Sequence, residues 1–348
     1  MRTPILLLFT AFIQSVAGCG SNSASPPDSS KGAAGGHDTG ALTGEPAAGA
    51  SASAAVGGKH GSPEAFDPPP PRSGYTRFVP PVMENLAAGT DTMYCQYVQA
   101  PLDRDMDVLD VQGYQSLGGH HSVAYSTTMN VPVGTSRLCN GEDNMSAGFL
   151  GGTGGEGSGV KLPAGVAFRL PKGSSIMLNT HFLNTTDGPI DGHTVVDFQL
   201  VEVDSTRKIA SLFTTGTLGF KVPAMAAGDA MAECALPQEM QFILFTNHMH
   251  DNGVRAKTEL VRADGSVELV HEDPTWTYEM QFNADYTKWS IDKPLTIAKG
   301  EMLRTRCSWQ NATPAELGFP REMCFGVGFF LSDGSTAPVC IDGSWIVR

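Results

Sequence analysis

An all-β fold is expected from this chain: two antiparallel β-sandwich (jelly-roll-like) domains in tandem, preceded by a signal peptide and a disordered tether. Three observations carry that expectation. Ile176 to Leu183 and Gln241 to His250 alternate with a period of two, as half-buried strands do. Convincing helical periodicity is absent. Glycines (40) and prolines (23) punctuate the chain throughout, which suits many strands joined by turns.

Residues 1–18 read as an export signal. Met1-Arg2 supplies a positive start, and Pro4 to Ala17 is apolar but for Thr10, Gln14 and Ser15, too short to span a bilayer as a helix. The run ends in Val16-Ala17-Gly18-Cys19, which resembles the bacterial lipobox, so Cys19 is the expected lipidation site. An ordinary cleaved signal is the plainer alternative. Gly20 follows the cysteine at the position of an inner-membrane retention aspartate, so an outer-membrane anchor, periplasmic or surface-facing, is expected.

Residues 19–72 are rich in Gly, Ala, Ser and Pro. Such a stretch cannot bury enough surface to offset its ordering entropy, and it reads as a flexible tether stiffened by Pro68 to Pro71. His37 and His60 lie in it and are discounted as ligands. The formal net charge of −13 argues against nucleic acid and against an electrostatic grip on anionic lipid. Membrane contact is therefore expected only through the lipid, and the chain is expected to be a monomer.

The folded part is divided into 73–188 and 189–348, with the seam in the turn-rich stretch Asn184 to Gly192. In the second part, Arg255 to Arg262 and Val267 to His271 flank Ala263-Asp264-Gly265-Ser266, a hairpin signal. Two motifs are set aside. Gly152 to Gly157 matches the dinucleotide fingerprint, but Pro163 and the lack of an amphipathic pattern forbid the helix that should follow, so a loop is expected. Asp103, Asp105 and Asp107 mimic an EF-hand start, but Val108 stands where glycine is required, so a solvated edge or turn is expected. Six cysteines follow Cys19: Cys95, Cys139, Cys234, Cys307, Cys324 and Cys340. An even number in an exported chain suggests three disulfides, with about 15 connectivities open.

Candidate ligands fall in two sets of three. His248 and His250 are two apart in a strand, so both face one side while Met249 points away. His120 and His121 are adjacent, and they bind one ion only where a strand is bulged or ends; Gly118-Gly119 permits that distortion. His181 shares a strand face with Met177 and Asn179. Met323 directly precedes Cys324. Imidazole suits copper or zinc, and a thioether shifts the choice towards reduced copper. His193 and His271 lack partners at useful spacing and are read as surface residues.

Gly119-His120-His121-Ser122, Asn179-Thr180-His181-Phe182, His248-Met249-His250 and Glu322-Met323-Cys324 resemble, in order and approximate spacing, the copper type II, ascorbate-dependent monooxygenases. That family includes peptidylglycine α-hydroxylating monooxygenase and dopamine β-monooxygenase, and the resemblance covers Tyr75 to Arg348. It implies an electron-transfer copper on His120, His121 and His181 in the first sandwich. It implies a catalytic, oxygen-binding copper on His248, His250 and Met323 in the second. It also implies the bridges Cys95–Cys139, Cys234–Cys340 and Cys307–Cys324, the last worth about 3 kcal/mol in the chain-entropy model.

The expected activity is hydroxylation of a C–H bond in a small organic substrate, with O2 and ascorbate or another one-electron reductant. Substrate positions depart from the family. Thr246 and Asn247 precede His248 where the amidating enzyme has an arginine that grips a carboxylate, and Phe325 and Val327 share the Met323 face where it has polar residues. A hydrophobic or weakly polar substrate is expected, with Phe325, Val327 and Thr246 in the pocket wall. Phe329 follows on the same strand face. The alternatives are a copper-binding envelope lipoprotein for metal capture or surface redox, and a zinc hydrolase using His248 and His250. Met323 and the lack of an acidic third ligand oppose zinc.

Overall fold

The computed structural model describes residues 66–346 apart from 141–142, 144–146, 155–158, 282, 320 and 335–337. The signal peptide, Cys19, His37 and His60 lie outside the described residues, and 66–72, the end of the expected tether, has no regular structure. No helix among the described residues is long and apolar enough to cross a membrane.

The regular structure is nearly all strand. The first half contains β1 (Thr76–Phe78), β2 (Met83–Leu86), β3 (Asp91–Gln99), β4 (Met106–Gln115), β5 (Gly119–Thr127), β6 (Ser136–Leu138), β7 (Ala147–Gly154), β8 (Val166–Leu170), β9 (Ser175–Leu183), β10 (Ile190–Gly192) and β11 (Thr194–Glu202). The second contains β12 (Lys208–Thr217), β13 (Ala227–Ala235), β14 (Met240–His248), β15 (Gly253–Val261), β16 (Val267–Asp273), β17 (Thr287–Lys288), β18 (Leu295–Ile297), β19 (Met302–Gln310), β20 (Cys324–Ser332), β21 (Val339–Ile341) and β22 (Ser344–Ile346). A 3₁₀ turn, Tyr278–Gln281, lies between β16 and β17.

In the first half the sheet β6-β3-β9-β5-β7 packs on β1-β11-β4-β8. Leu150, Ile176 and Leu178 from one layer meet Val108, Val111, Val196 and Phe198 from the other in a single buried cluster. In the second half β12, β20 and β14 face the sheet β13-β19-β15-β16. There Phe213, Phe242, Phe245 and Phe330 bury against Leu260, Val270 and Leu303. The hairpin expected around Ala263–Ser266 is present, with Val261 opposite Val267 and Gly265 at φ 84°.

The halves are not separate beads. β8 and β12 pair in parallel at Val166↔Lys208 and Ala167↔Ile209, so one layer of each half joins into an 11-stranded sheet. Leu244 and Phe329 of the second half bury in the first half's core cluster. The Phe329 ring centroid lies 5.7 Å from both Phe149 and Phe168.

The seam is displaced from the one expected at residues 188/189. β11 pairs with β4 along its length, so it belongs to the first half, and the crossing is the Val203–Arg207 turn. There the Asp204 carboxylate accepts from the Thr206 amide at 2.9 Å. Asn184 to Pro189 is a loop within the first half that leads into β10, closed by Asn184 Nδ2 donating to Leu86 O (2.8 Å) and Gly188 O (2.9 Å). Turn chemistry marks a loop, not a domain boundary.

Other expectations are corrected. Asp107 is not solvated; it is fully buried and paired with Arg169 and Arg207, each at 2.8 Å. Gly152 to Gly154 end strand β7 instead of forming a loop, and residues 155–157 of that motif lie outside the described residues. His271 is buried, not a surface residue: a register shift in the β15–β16 pairing, with Thr258 opposite His271 and Glu259 opposite Leu269, makes Val270 the extra residue. The alternation then reverses, and His271 meets Thr287 Oγ1 at 2.9 Å and Asp273 at 3.2 Å.

The three disulfides are Cys95–Cys139, Cys234–Cys340 and Cys307–Cys324, the pairing the resemblance implies. Three bridges point to an oxidising compartment, extracellular or periplasmic.

Candidate metal centre

His120 and His121 enter on β5, and His181 lies opposite them on β9. Gly119 pairs with Phe182 and His121 with His181, so the register shifts by one residue at His120. This is the bulge that lets two adjacent histidines reach one point. Gly118 holds φ 80°, and a Cβ there would sit 2.5 Å from Ile190 Cδ1. At Gly119 a Cβ would sit 2.2 Å from Gln115 Cβ. Glycine is required at both positions for different reasons, backbone sign and close approach.

The three imidazoles are half-buried, and one ligating atom from each lies within 4.8 Å of the others. Ring centroids are 4.7 Å apart for His120–His181 and 5.0 Å for His121–His181. Two Nδ1 atoms face each other, His120 to His181, at 3.0 Å. The outer nitrogen of His181, Nε2, meets Asp91 Oδ1 at 2.6 Å. Burial, then the neighbouring His181, holds His120 down at about 3, and burial drives His121 well below the usual imidazole value. Both rings are therefore neutral near pH 7, the form a metal needs.

His248 ends β14 and His250 follows two residues on, their ring centroids 5.3 Å apart and nearly perpendicular. Met249 between them is fully buried in a cluster with Trp276 and Trp309, so it points away from the pair. The His250 ring nitrogen Nδ1 is 3.0 Å from the Arg321 carbonyl oxygen. A carbonyl only accepts, so Nδ1 carries a hydrogen, the tautomer whose lone pair sits on Nε2. His248 is held down at about 3 by burial and then by His250.

Met323 directly precedes β20, whose Phe325 pairs with His248 at the end of β14. The buried carboxylate of Glu322 secures that alignment. It accepts from the His250 amide (3.1 Å), the Asn252 amide (2.8 Å), Asn252 Nδ2 (2.9 Å) and Trp309 Nε1 (2.9 Å).

The two clusters share one neighbourhood. His250 repels charge on His120, and His248 and His250 both do so on His121. Tyr278 of the second half brings its hydroxyl to 3.5 Å from His120 Nε2.

The expected pocket residues lie on the His248 face. Across β12, β20 and β14 the rows are Gly216–Phe325–His248 and Thr214–Val327–Thr246. Phe325 and Val327 are half-buried and Thr246 is buried. Phe329, farther along, is seam core. A Cβ on Gly216 would lie 2.0 Å from Phe325 Cδ1, so the Phe325 ring lies against that glycine. The single-face reading of β14 holds for Leu244, Thr246 and His248 but not for Phe242, because a register shift between Phe242 and Leu244 turns Phe242 into the second half's core with Phe245.

Sequence reasoning missed Asp91, Tyr278, Glu322 and the Arg321 carbonyl. Only Glu322 had a local signal, its place directly before Met323.

No protein-family model and no curated protein matches the sequence. Among solved structures, PNGF-II matches at 11% identity and TM-score 0.32 over 75% of this chain and 65% of its own, so the chain spans less than two thirds of that protein. The major capsid protein P2 from Bacteriophage PM2 matches at 9% identity and TM-score 0.30 over 74% of this chain and 98% of that one. An infectious bursal disease virus VP2 subviral particle matches at 10% identity and TM-score 0.19, covering 75% and 68%. Likenesses this weak carry no argument about function.

Proposed function

We propose that the chain is a copper-dependent monooxygenase, similar to the copper type II, ascorbate-dependent family, that hydroxylates a C–H bond of a small organic substrate. The carrying observation is the convergence of His120, His121 and His181 within electrostatic reach of His248 and His250. Imidazoles in both clusters fit copper or zinc, and Met323, just before the strand that pairs with His248, favours copper.

Bound copper supplies one-electron and dioxygen chemistry, with ascorbate or another envelope donor as the source of electrons. The chain's residues do the rest. His120 and His181 offer inward-facing Nδ1 atoms, and His121 completes the first set. His248, the free Nε2 of His250, and Met323 make the second, softer set. Phe325 and Val327 form an apolar wall that orients the substrate C–H bond and excludes water. Thr214 and Thr246 flank Val327 with hydroxyls, and none of these four wall residues is charged. The substrate is therefore uncharged, and it lies in the neighbourhood shared by the two halves. In this reading the enzyme is exported, works as a monomer, and is held at the outer membrane by a lipid on Cys19.

The test is copper stoichiometry combined with reductant-dependent oxygen uptake across a library of neutral organic compounds. Two coppers per chain and substrate-stimulated uptake are expected. Stoichiometric zinc from native cells would overturn the reading. Two tight coppers without reductant-dependent oxygen use would instead mark a copper-capture lipoprotein.

A further inference from the structure

We infer that Tyr278 and Asp91 are positioning residues that orient His120 and His181 for metal, so that the first centre is completed by a residue from the second half. The inference rests on the part of the proposed function that gives His120, His121 and His181 a metal.

Nδ1 of His120 and Nδ1 of His181 face each other at 3.0 Å, and one of the two must carry the proton they share. A metal that takes both Nδ1 lone pairs removes that hydrogen bond and leaves both rings protonated at Nε2. Each Nε2–H then needs an acceptor, since ligating imidazoles fix their tautomer and ring angle through the other nitrogen. An oxygen waits at each: Asp91 Oδ1 at 2.6 Å from His181 Nε2, and the Tyr278 hydroxyl at 3.5 Å from His120 Nε2. The second distance is at the limit of a hydrogen bond, and proton relocation to Nε2 draws it in.

The two oxygens come from different places. Asp91 begins β3, next to β9 in the first half's sheet. Tyr278 starts the 3₁₀ turn of the second half. Two residues before it, buried Trp276 donates its indole N–H to the His250 carbonyl at 2.9 Å, and its own amide donates to Val254 O at 2.9 Å. The segment Trp276–Tyr278 thus touches one histidine cluster with each end, and the backbone that holds His250 also sets where Tyr278 stands.

The experiment uses the full chain and Cu(II), with affinity at each centre read by chelator competition and the Cu(II) paramagnetic resonance spectrum read separately. His181→Ala identifies the signal of the first centre. Tyr278→Phe keeps the ring and removes the oxygen; Asp91→Asn keeps the shape and removes the charge. Each should weaken the first centre about 10- to 100-fold and change its hyperfine pattern, while the second centre and the unfolding midpoint of the metal-free protein stay as in wild type. Asp91→Glu should restore part of the affinity. Unchanged affinity and spectrum in both variants, with wild type binding metal at the triad, would overturn this inference and leave the proposed function standing. Weakened variants in a chain that consumes no oxygen would sustain the inference and overturn the oxygenase reading. A wild-type triad that takes no metal overturns both.

Discussion

A single proton on His250 shows how closely a side chain's role depends on its neighbours. The Arg321 carbonyl accepts a hydrogen bond from Nδ1–H, and that tautomer leaves Nε2 to bind. Burial does the same work for His248, whose pKa of about 3 lies below its ordinary 6.5. The sign follows from linkage. Below about pH 6.5 the unfolded chain takes up protons that folded His248 and His120 refuse, so stability is complete above that pH and is lost as pH falls towards 3. The urea midpoint of the metal-free protein should therefore drop between pH 7 and pH 5, a window above the carboxylate range, and His248→Gln should flatten the slope. A wild-type midpoint constant across that window would show these rings to be solvated. On the proposed function, Met323→Leu would delete one soft ligand and little volume. Its fold and first centre should survive while oxygen uptake disappears; full turnover in that variant would move the oxygen site elsewhere. The convergence of His120, His121 and His181 was legible in the sequence because such candidates arrive in short local patterns. Asp91 lies 90 residues from His181 and Tyr278 lies 158 from His120, and no local pattern encodes such pairs.

Bulges decide which faces the strands present. The one at His120 was readable because Gly118-Gly119 announced it and because two adjacent histidines are useful only there. Those within β14 and β16 were not readable. Ile243 and Val270 are ordinary strand residues, and nothing local marks either as the extra one. The alternation therefore misassigned Phe242, which lies on the far side of a bulge from the residues that set the count, and His271, read as a surface residue for want of partners, turns inward beyond the other bulge. The glycine-dependent bulge makes a sharp prediction. Alanine at Gly118 must hold a left-handed φ of 80° and push its Cβ to 2.5 Å from Ile190 Cδ1. The backbone conformation alone costs about 1–2 kcal/mol, and relaxing it straightens β5 and turns His120 out of the cluster. Gly118→Ala should lower the urea midpoint and weaken metal at the first centre together, with the second centre unaffected. Gly134→Ala is the control, because it has a similar φ of 85° but open space and no histidine nearby; it should cost stability and leave metal binding alone. Equal metal affinity in Gly118→Ala and wild type would mean that the bulge persists without its glycine.

Across the whole molecule, the all-β class and the two-sandwich plan were legible because alternation and turn residues are local. The joining of the halves was not, because the β8–β12 pairing and the burial of Phe329 against Phe149 and Phe168 are long-range. Along β20, Phe329 and Phe330 point to opposite faces. Phe330 fills the second half's own core with Phe213 and Phe242, while Phe329 fills the seam. Both are almost fully buried, at 1% and 4% exposure, so truncating either to alanine should cost about 3–5 kcal/mol. Their effects on the metal centres should differ. The first cluster takes Tyr278 from across the seam, so Phe329→Ala, which leaves a cavity between the halves, should loosen that contact and weaken metal at His120, His121 and His181. Phe330→Ala leaves the cavity inside one half and should lower stability without that loss. Chelator competition on both variants, at a urea-free temperature where each is fully folded, separates the two cases. Equal metal affinity in the pair would mean that each half carries its centre independently and that the shared sheet serves stability alone.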